Sequence, residues 1–141
     1  MRLVLLGPPG AGKGTQAVRL AARLGVPAIS TGDIFRTNIA GGTALGELAQ
    51  SFTRAGKLVP DEVTNDMVRD RLAQPDVAPG FLLDGYPRNA AQVEALDGML
   101  TQAGTPLDAV VLITADTDAL VERLLKRAEI DEVVETGIRC I

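Results

Sequence analysis

The chain has 141 residues, of which 46% are apolar and 23% charged, with a formal net charge of −4. That length bounds it to one domain with room for a small insertion, and the apolar share suffices for a core, so a folded rather than a disordered chain is expected. The acidic balance argues against nucleic acid or an anionic membrane as main partner, so any anion must be held by locally clustered cations.

Continuously apolar Leu3-Val4-Leu5-Leu6 makes residues 1–6 a central, parallel strand. A glycine-rich turn follows, then a helix over 13–24 with Ala17, Leu20, Ala21 and Leu24 on one face and Gly25 as its stop. Residues 26–29 read as a second strand and, after Ser30-Thr31-Gly32, residues 33–40 as a helix. Thr43 caps a further helix to about Ala55, and beyond the loop at 56–60 Asp61 caps another to about Ala73. After a connector at 75–80, Phe81-Leu82-Leu83 is a buried strand, Asn89 caps a helix that ends before Gly104, and residues 107–113 form an apolar strand. Asp116 or Thr117 then caps a helix through Arg127. Alternating strands and helices predict an α/β fold with a parallel sheet flanked by helices. The helix pair between Thr31 and Val59 interrupts the alternation and reads as a small inserted lobe.

The chain has no histidine, which excludes Ser-His and Cys-His nucleophilic sites and histidine-ligated metal. The one cysteine, Cys140, rules out an internal disulfide, fits a reducing compartment, and is best read as a bystander thiol. The N-terminal apolar run is too short for a signal peptide, and no stretch is long enough to span a bilayer, so a cytoplasmic protein is expected.

Gly7-Pro8-Pro9-Gly10-Ala11-Gly12-Lys13-Gly14-Thr15 lies between a buried strand and a helix. Glycines let backbone amides turn inward on phosphate oxygens, with the positive end of the helix behind them, and Lys13 adds a mobile full charge. The general pattern, G-x-x-x-x-G-K followed by Ser or Thr, is altered here: Gly14 occupies the hydroxyl position and Thr15 follows it. The shifted hydroxyl narrows the class of nucleotide-binding protein.

Asp84-Gly85-Tyr86-Pro87-Arg88 ends the strand at 81–83, where open parallel sheets bind ligands. Opposite Thr15, Asp84 is placed to hold Mg²⁺ through water; the alternative is that it merely caps a turn. Arg88 and Arg36 each follow a short turn, and their planar donors match phosphate oxygens, although a lone helical arginine is usually a solvated charge. Arg123 and Arg127 lie four apart on one helical face, which a solvated stripe would also explain.

These three segments, Gly7 to Thr15, Ser30-Thr31-Gly32-Asp33, and Asp84 to Arg88 with Gln92, resemble bacterial adenylate kinases in order and spacing, from Met1 to about Arg127. The resemblance implies a P-loop kinase-type fold whose core is formed by residues 1–29 and 60–127, with residues 30–59 as an AMP-binding insertion. It implies that Gly10, Ala11, Gly12, Lys13, Gly14 and Thr15 hold ATP phosphates, with Lys13, Arg88 and Arg123 catalytic. Thr31, Arg36, Lys57, Leu58, Val59, Gly85, Tyr86, Pro87, Arg88 and Gln92 would surround AMP, with Gln92 reading the adenine edge. Arg123 and Arg127 match two arginines that reach the phosphates of ATP from a lid hinge. The reaction implied is reversible, Mg²⁺-dependent phosphoryl transfer from ATP to AMP by a monomer. The alternatives are a kinase for another nucleoside monophosphate and a non-catalytic nucleotide-binding fragment. Beyond Arg127 the resemblance lapses: residues 128–141 carry four carboxylates and one arginine where the family has an arginine-bearing lid. A truncated or altered product is expected, in which 107–113 becomes an exposed apolar edge and nucleotide binding outlasts turnover.

Overall fold

The protein is described by a computed structural model covering residues 1–8 and 10–135, with side chains through Lys126. Four strands, β1 (Arg2–Leu6), β2 (Ala28–Ser30), β3 (Phe81–Asp84) and β4 (Ala109–Leu112), form one parallel sheet in the order β2-β3-β1-β4. Its helices are α1 (Lys13–Leu24), α2 (Thr31–Ala40), α3 (Ala44–Arg54), α4 (Asp61–Leu72), α5 (Ala90–Ala103) and α6 (Thr117–Glu135). The α/β architecture with a parallel sheet is the one expected, and β1 is central, between β3 and β4.

Strands buried on both faces have no polar side to show water, which is why β1 and β3 read as unbroken apolar runs. Val4, Ile29, Phe81 and Leu83 turn to one face and pack with Ile34 of α2, Ala49 of α3, Met67 and Val68 of α4, and Leu96 and Leu100 of α5. Leu3, Leu5 and Leu82 turn to the other, against Ala17 and Ala21 of α1. Each fully buried leucine contributes about 1.5–3 kcal/mol.

Local hydrogen bonding moved several boundaries. Gly25 closes α1 in a left-handed conformation, and the Val26 N–H then donates to Ala21 O at 3.1 Å. Val26 therefore belongs to the helix stop, and β2 begins two residues later than 26–29 implied. Ser30 Oγ accepts the Asp33 N–H at 3.2 Å, so α2 starts at Thr31 and takes in residues read as a turn. Thr43 and Asn89 cap as expected, accepting from the N–H groups of Gly46 and Gln92. Asp61 does not cap: Pro60 occupies the cap position, no side chain bonds there, and the Asp61 carboxylate turns instead to Asn89 and Gln92. α6 starts at Thr117 and continues past Arg127 to Glu135.

β4 lies at the sheet edge with all four of its residues exposed, Leu112 to 64%. Among the described residues no strand pairs with its outer side. Among the described residues no helix is long and apolar enough to cross a membrane.

The register positions the site. Leu5 pairs with Asp84, and Asp84 with Ser30, so three strands end at one level. The chain leaves β1 for β2 on one side and β3 for β4 on the other, which opens a crevice at the carboxyl ends of the two central strands.

Candidate functional site

Two groups of side chains meet at that crevice. The first grows from the glycine turn. Gly10 and Gly12 sit at φ 83° and 80°, left-handed values that a side chain would strain, and Ala11 is buried between them. No side chain caps α1. The first-turn N–H groups of a helix have no partner within it, and without a cap those of α1 stay available to an anion.

Lys13 and Asp84 are largely buried, with Lys13 Nζ 3.5 Å from Asp84 Oδ1. Their contact is one of charge alone: Asp84 Oδ1 is buried and accepts no hydrogen bond. Such an oxygen is costly unless a cation or a hydrated ion serves it. Gly14 leaves space beside the same carboxylate, since a Cβ there would stand 3.9 Å from Asp84 Oδ2. Thr15 is exposed on the first turn of α1. From α6, Arg123 Nη1 donates to Gly10 O at 3.1 Å, joining that arginine to the glycine turn. Arg127 is helical, but its side chain lies outside the described residues, as do Cys140 and the rest of 136–141.

The second group gathers at the starts of α2 and α5. Thr31 is buried, and Arg88 and Thr31 both flank Gly85. Arg88 Nε donates to Gly85 O at 2.6 Å, which folds the arginine back over its own turn. Arg36 lies against Gly32 and pairs with Asp33, and this hydrogen bond, with a smaller one from Ser30, holds the Asp33 carboxyl below the usual carboxylate range. The pair is exposed, so releasing Arg36 to another anion costs little.

Gln92 is only 6% exposed. Its Oε1 accepts the Arg88 N–H at 2.7 Å, and its Nε2 donates to Asp61 Oδ1 at 2.9 Å. Tyr86 is completely buried: its hydroxyl donates to Asn65 Oδ1 at 2.7 Å, and burial pushes its pKa up to about 12. It supports the turn from beneath and presents no surface to a ligand. Pro87 is half-buried beside it. Lys57 is exposed, its N–H tied to Phe52 O; Leu58 stands 94% exposed, and Val59 packs on the core. Asn65, and the tie of Asp61 to Gln92, escaped the sequence reading, because contacts from α4 to α5 and to the turn after β3 leave no local pattern. A separate cavity of about 850 Å³ lies between α2 and α4, lined by Ile29, Thr37, Met67 and Arg71; Arg71 is closed onto Asp76 there, which leaves no free cation facing it.

The adenylate kinase family model matches residues 5–139, reaching beyond Arg127. The chain is 66% identical over 128 residues to the adenylate kinase of Kocuria rhizophila, an alignment covering 91% of this chain and 68% of that protein. It is 59% identical over 131 residues to the adenylate kinase of Thermobifida fusca (93% and 69% covered). With that of Nocardioides sp. the identity is 60% over 131 residues, with the same coverage. It thus spans a little over two thirds of the length of these relatives. A glycine turn that opens α1 at Lys13, a carboxylate at the end of β3, an arginine hydrogen-bonded to the backbone beside each, and this identity along the chain lead to one conclusion: the chain belongs to the adenylate kinase family.

Proposed function

We propose that this protein transfers the terminal phosphoryl group of ATP to AMP, reversibly and with Mg²⁺, giving two molecules of ADP. A phosphate oxygen of AMP forms the new bond to the γ-phosphorus as the bond to the β–γ bridging oxygen breaks, and that oxygen leaves as ADP. The AMP phosphate is already an anionic nucleophile, so no general base is needed, in keeping with a chain that lacks histidine. What remains for the protein is positioning and charge.

The observation that best supports this is the meeting of Lys13 with Asp84 at the crevice, with Arg123 bonded to Gly10 of the glycine turn and Arg88 to Gly85, the residue after Asp84. Gly10, Ala11, Gly12, Lys13, Gly14 and Thr15 hold the ATP phosphates, and Lys13, Arg88 and Arg123 neutralise charge on the migrating group. Arg127 joins them by family likeness. Residues 30–59 form the AMP lobe, where Thr31, Arg36, the 57–59 edge and Gly85 surround AMP, with Tyr86 and Pro87 shaping the turn and Gln92 reading the base. Among the described residues no three His, Cys, Asp or Glu side chains cluster as a metal cage. One buried carboxylate oxygen without a hydrogen bond fits an ion that arrives with its nucleotide and keeps its waters. Asp84 and Thr15 would hold Mg²⁺ through such waters, and the bound ion would neutralise phosphate charge. Cytoplasmic location and action as a monomer on ATP and AMP complete the proposal.

The test is ADP formation from ATP with AMP, CMP or UMP as acceptor, with and without Mg²⁺. Mg²⁺-dependent turnover with AMP preferred is the expected result. Preference for a pyrimidine acceptor would replace the substrate, and calorimetric ATP binding with no turnover would reduce the protein to a nucleotide-binding module.

A further inference from the structure

We propose that Asp61 is a positioning residue for the base-reading carboxamide of Gln92, and through it part of the selection of 6-aminopurine over 6-oxopurine monophosphates. The inference rests on the reading that Gln92 faces the acceptor base. Asp61 is the first residue of α4, where a carboxylate is favoured by the helix dipole. It does not serve its own helix. Its Oδ1 accepts from Gln92 Nε2 at 2.9 Å, and Asn89 Nδ2 donates to Oδ1 and Oδ2 at 3.2 and 3.1 Å. Asn89 in turn caps α5 by accepting the Gln92 N–H at 2.9 Å. Gln92 is thus gripped at main chain and side chain together.

The chemistry of the grip sets a polarity. An ionised carboxylate only accepts, and a backbone N–H only donates. With Asp61 on one end and the Arg88 N–H on the other, the Gln92 amide has one stable orientation, Nε2 toward α4 and Oε1 toward Arg88. A carboxamide has two N–H donors and two oxygen lone pairs, so one of each is left over. A 6-aminopurine offers a donor and an adjacent ring acceptor to that pair. A 6-oxopurine offers the reverse, which the amide can meet only by turning over and facing its NH₂ at the Arg88 N–H. Unpaired polar groups in a buried site are the strongest source of discrimination available to it.

The test is calorimetric binding of AMP, IMP and ATP to the 141-residue chain and to its Asp61→Ala, Asp61→Asn and Asp61→Glu variants, with melting temperatures recorded alongside. Asp61→Ala is expected to weaken AMP about tenfold, to narrow the AMP-to-IMP preference by about the same factor, and to leave ATP unchanged. Asp61→Glu, which keeps the carboxylate, is expected to recover part of the preference. Should Asp61→Ala not fold, Asp61→Asn preserves the volume and replaces one carboxylate oxygen by NH₂, so that it can accept from Gln92 Nε2 only by facing that NH₂ at the Asn89 donor, and a narrowed ratio is expected there too. A lowered melting temperature with the wild-type AMP-to-IMP ratio would overturn the proposal and leave Asp61 as a mere tie between α4 and α5. A wild-type chain that binds AMP and IMP equally would overturn the placing of Gln92 at the base, and this inference with it.

Discussion

Lys13 Nζ stands 3.5 Å from Asp84 Oδ1, so the first turn of α1 is tied to the end of β3 by charge across a gap that no hydrogen bond closes. Under the proposed function the two groups neutralise each other until phosphates arrive, when Lys13 would turn to the anion and Asp84 to the hydrated ion that comes with it. Lys13→Met is therefore expected to lower turnover by about 10²–10³-fold, the scale of losing one well-placed stabiliser of developing charge. It should also destabilise the fold by about 1–3 kcal/mol, because a buried carboxylate is left alone. The double variant Lys13→Met/Asp84→Asn should regain that stability but not the activity. Denaturant melts with a coupled ADP assay check both, and wild-type turnover in Lys13→Met would sink the assignment.

Gly46 lies where α3 crosses the end of α2, and a Cβ there would collide with the backbone of Asn38 and Ile39. Backbone cannot swing aside as a side chain can. Gly46→Ala is expected to cost about 2–4 kcal/mol despite the better helix propensity of alanine, by forcing the two helices apart. Urea unfolding measures this, and an unchanged midpoint would show that the helix pair yields freely.

Tyr86 is the only tyrosine, and the chain has no tryptophan, so phenolate absorbance reports one residue. Burial raises its pKa from the ordinary 10 to about 12, with the charge of Asp61 adding to the shift and that of Arg69 opposing it. Below pH 10 both folded and unfolded chains keep the proton, and stability is unaffected. Between 10 and about 12 only the unfolded chain loses it, so stability falls as pH rises, by about 2–3 kcal/mol across the window. Spectrophotometric titration should place the folded midpoint well above that in denaturant. Coincident midpoints would mean that the phenol reaches water.

On β4, Val110, Val111 and Leu112 are exposed at the sheet edge, and on α6 Val121, Leu124 and Leu125 are exposed as well. An apolar strand with a free side is a template for pairing with another chain. Concentration-dependent association is expected by light scattering, and Leu112→Lys should suppress it without lowering the melting temperature. A wild-type chain that stays monodisperse at high concentration would show that this edge is not sticky.

The strands, the glycine turn and most helices were legible because their signals are local. Apolar runs mark β1 and β3, Gly25 stops α1, and Thr43 and Asn89 each bond an amide three residues on. The Ser30 cap was overlooked although its signal is of the same local kind, and it carried Thr31 into α2. Asp61 was misread for the opposite reason: an acidic residue at a helix start is the usual sign of a cap, and a partner distant in sequence outbid it.

By itself, then, the sequence determined which residue types stand at each strand end, and hence pointed to phosphates as the ligand, because amide turns and cations at fixed spacing are local chemistry. Only the tertiary structure decided how those groups are committed: Asp84 to Lys13, Arg36 to Asp33, Arg123 to Gly10, and Gln92 to Asp61. The physical reason is that partner choice depends on distances across the sheet and between helices. Those distances are set by register and packing, and neither is written in any window of neighbouring residues.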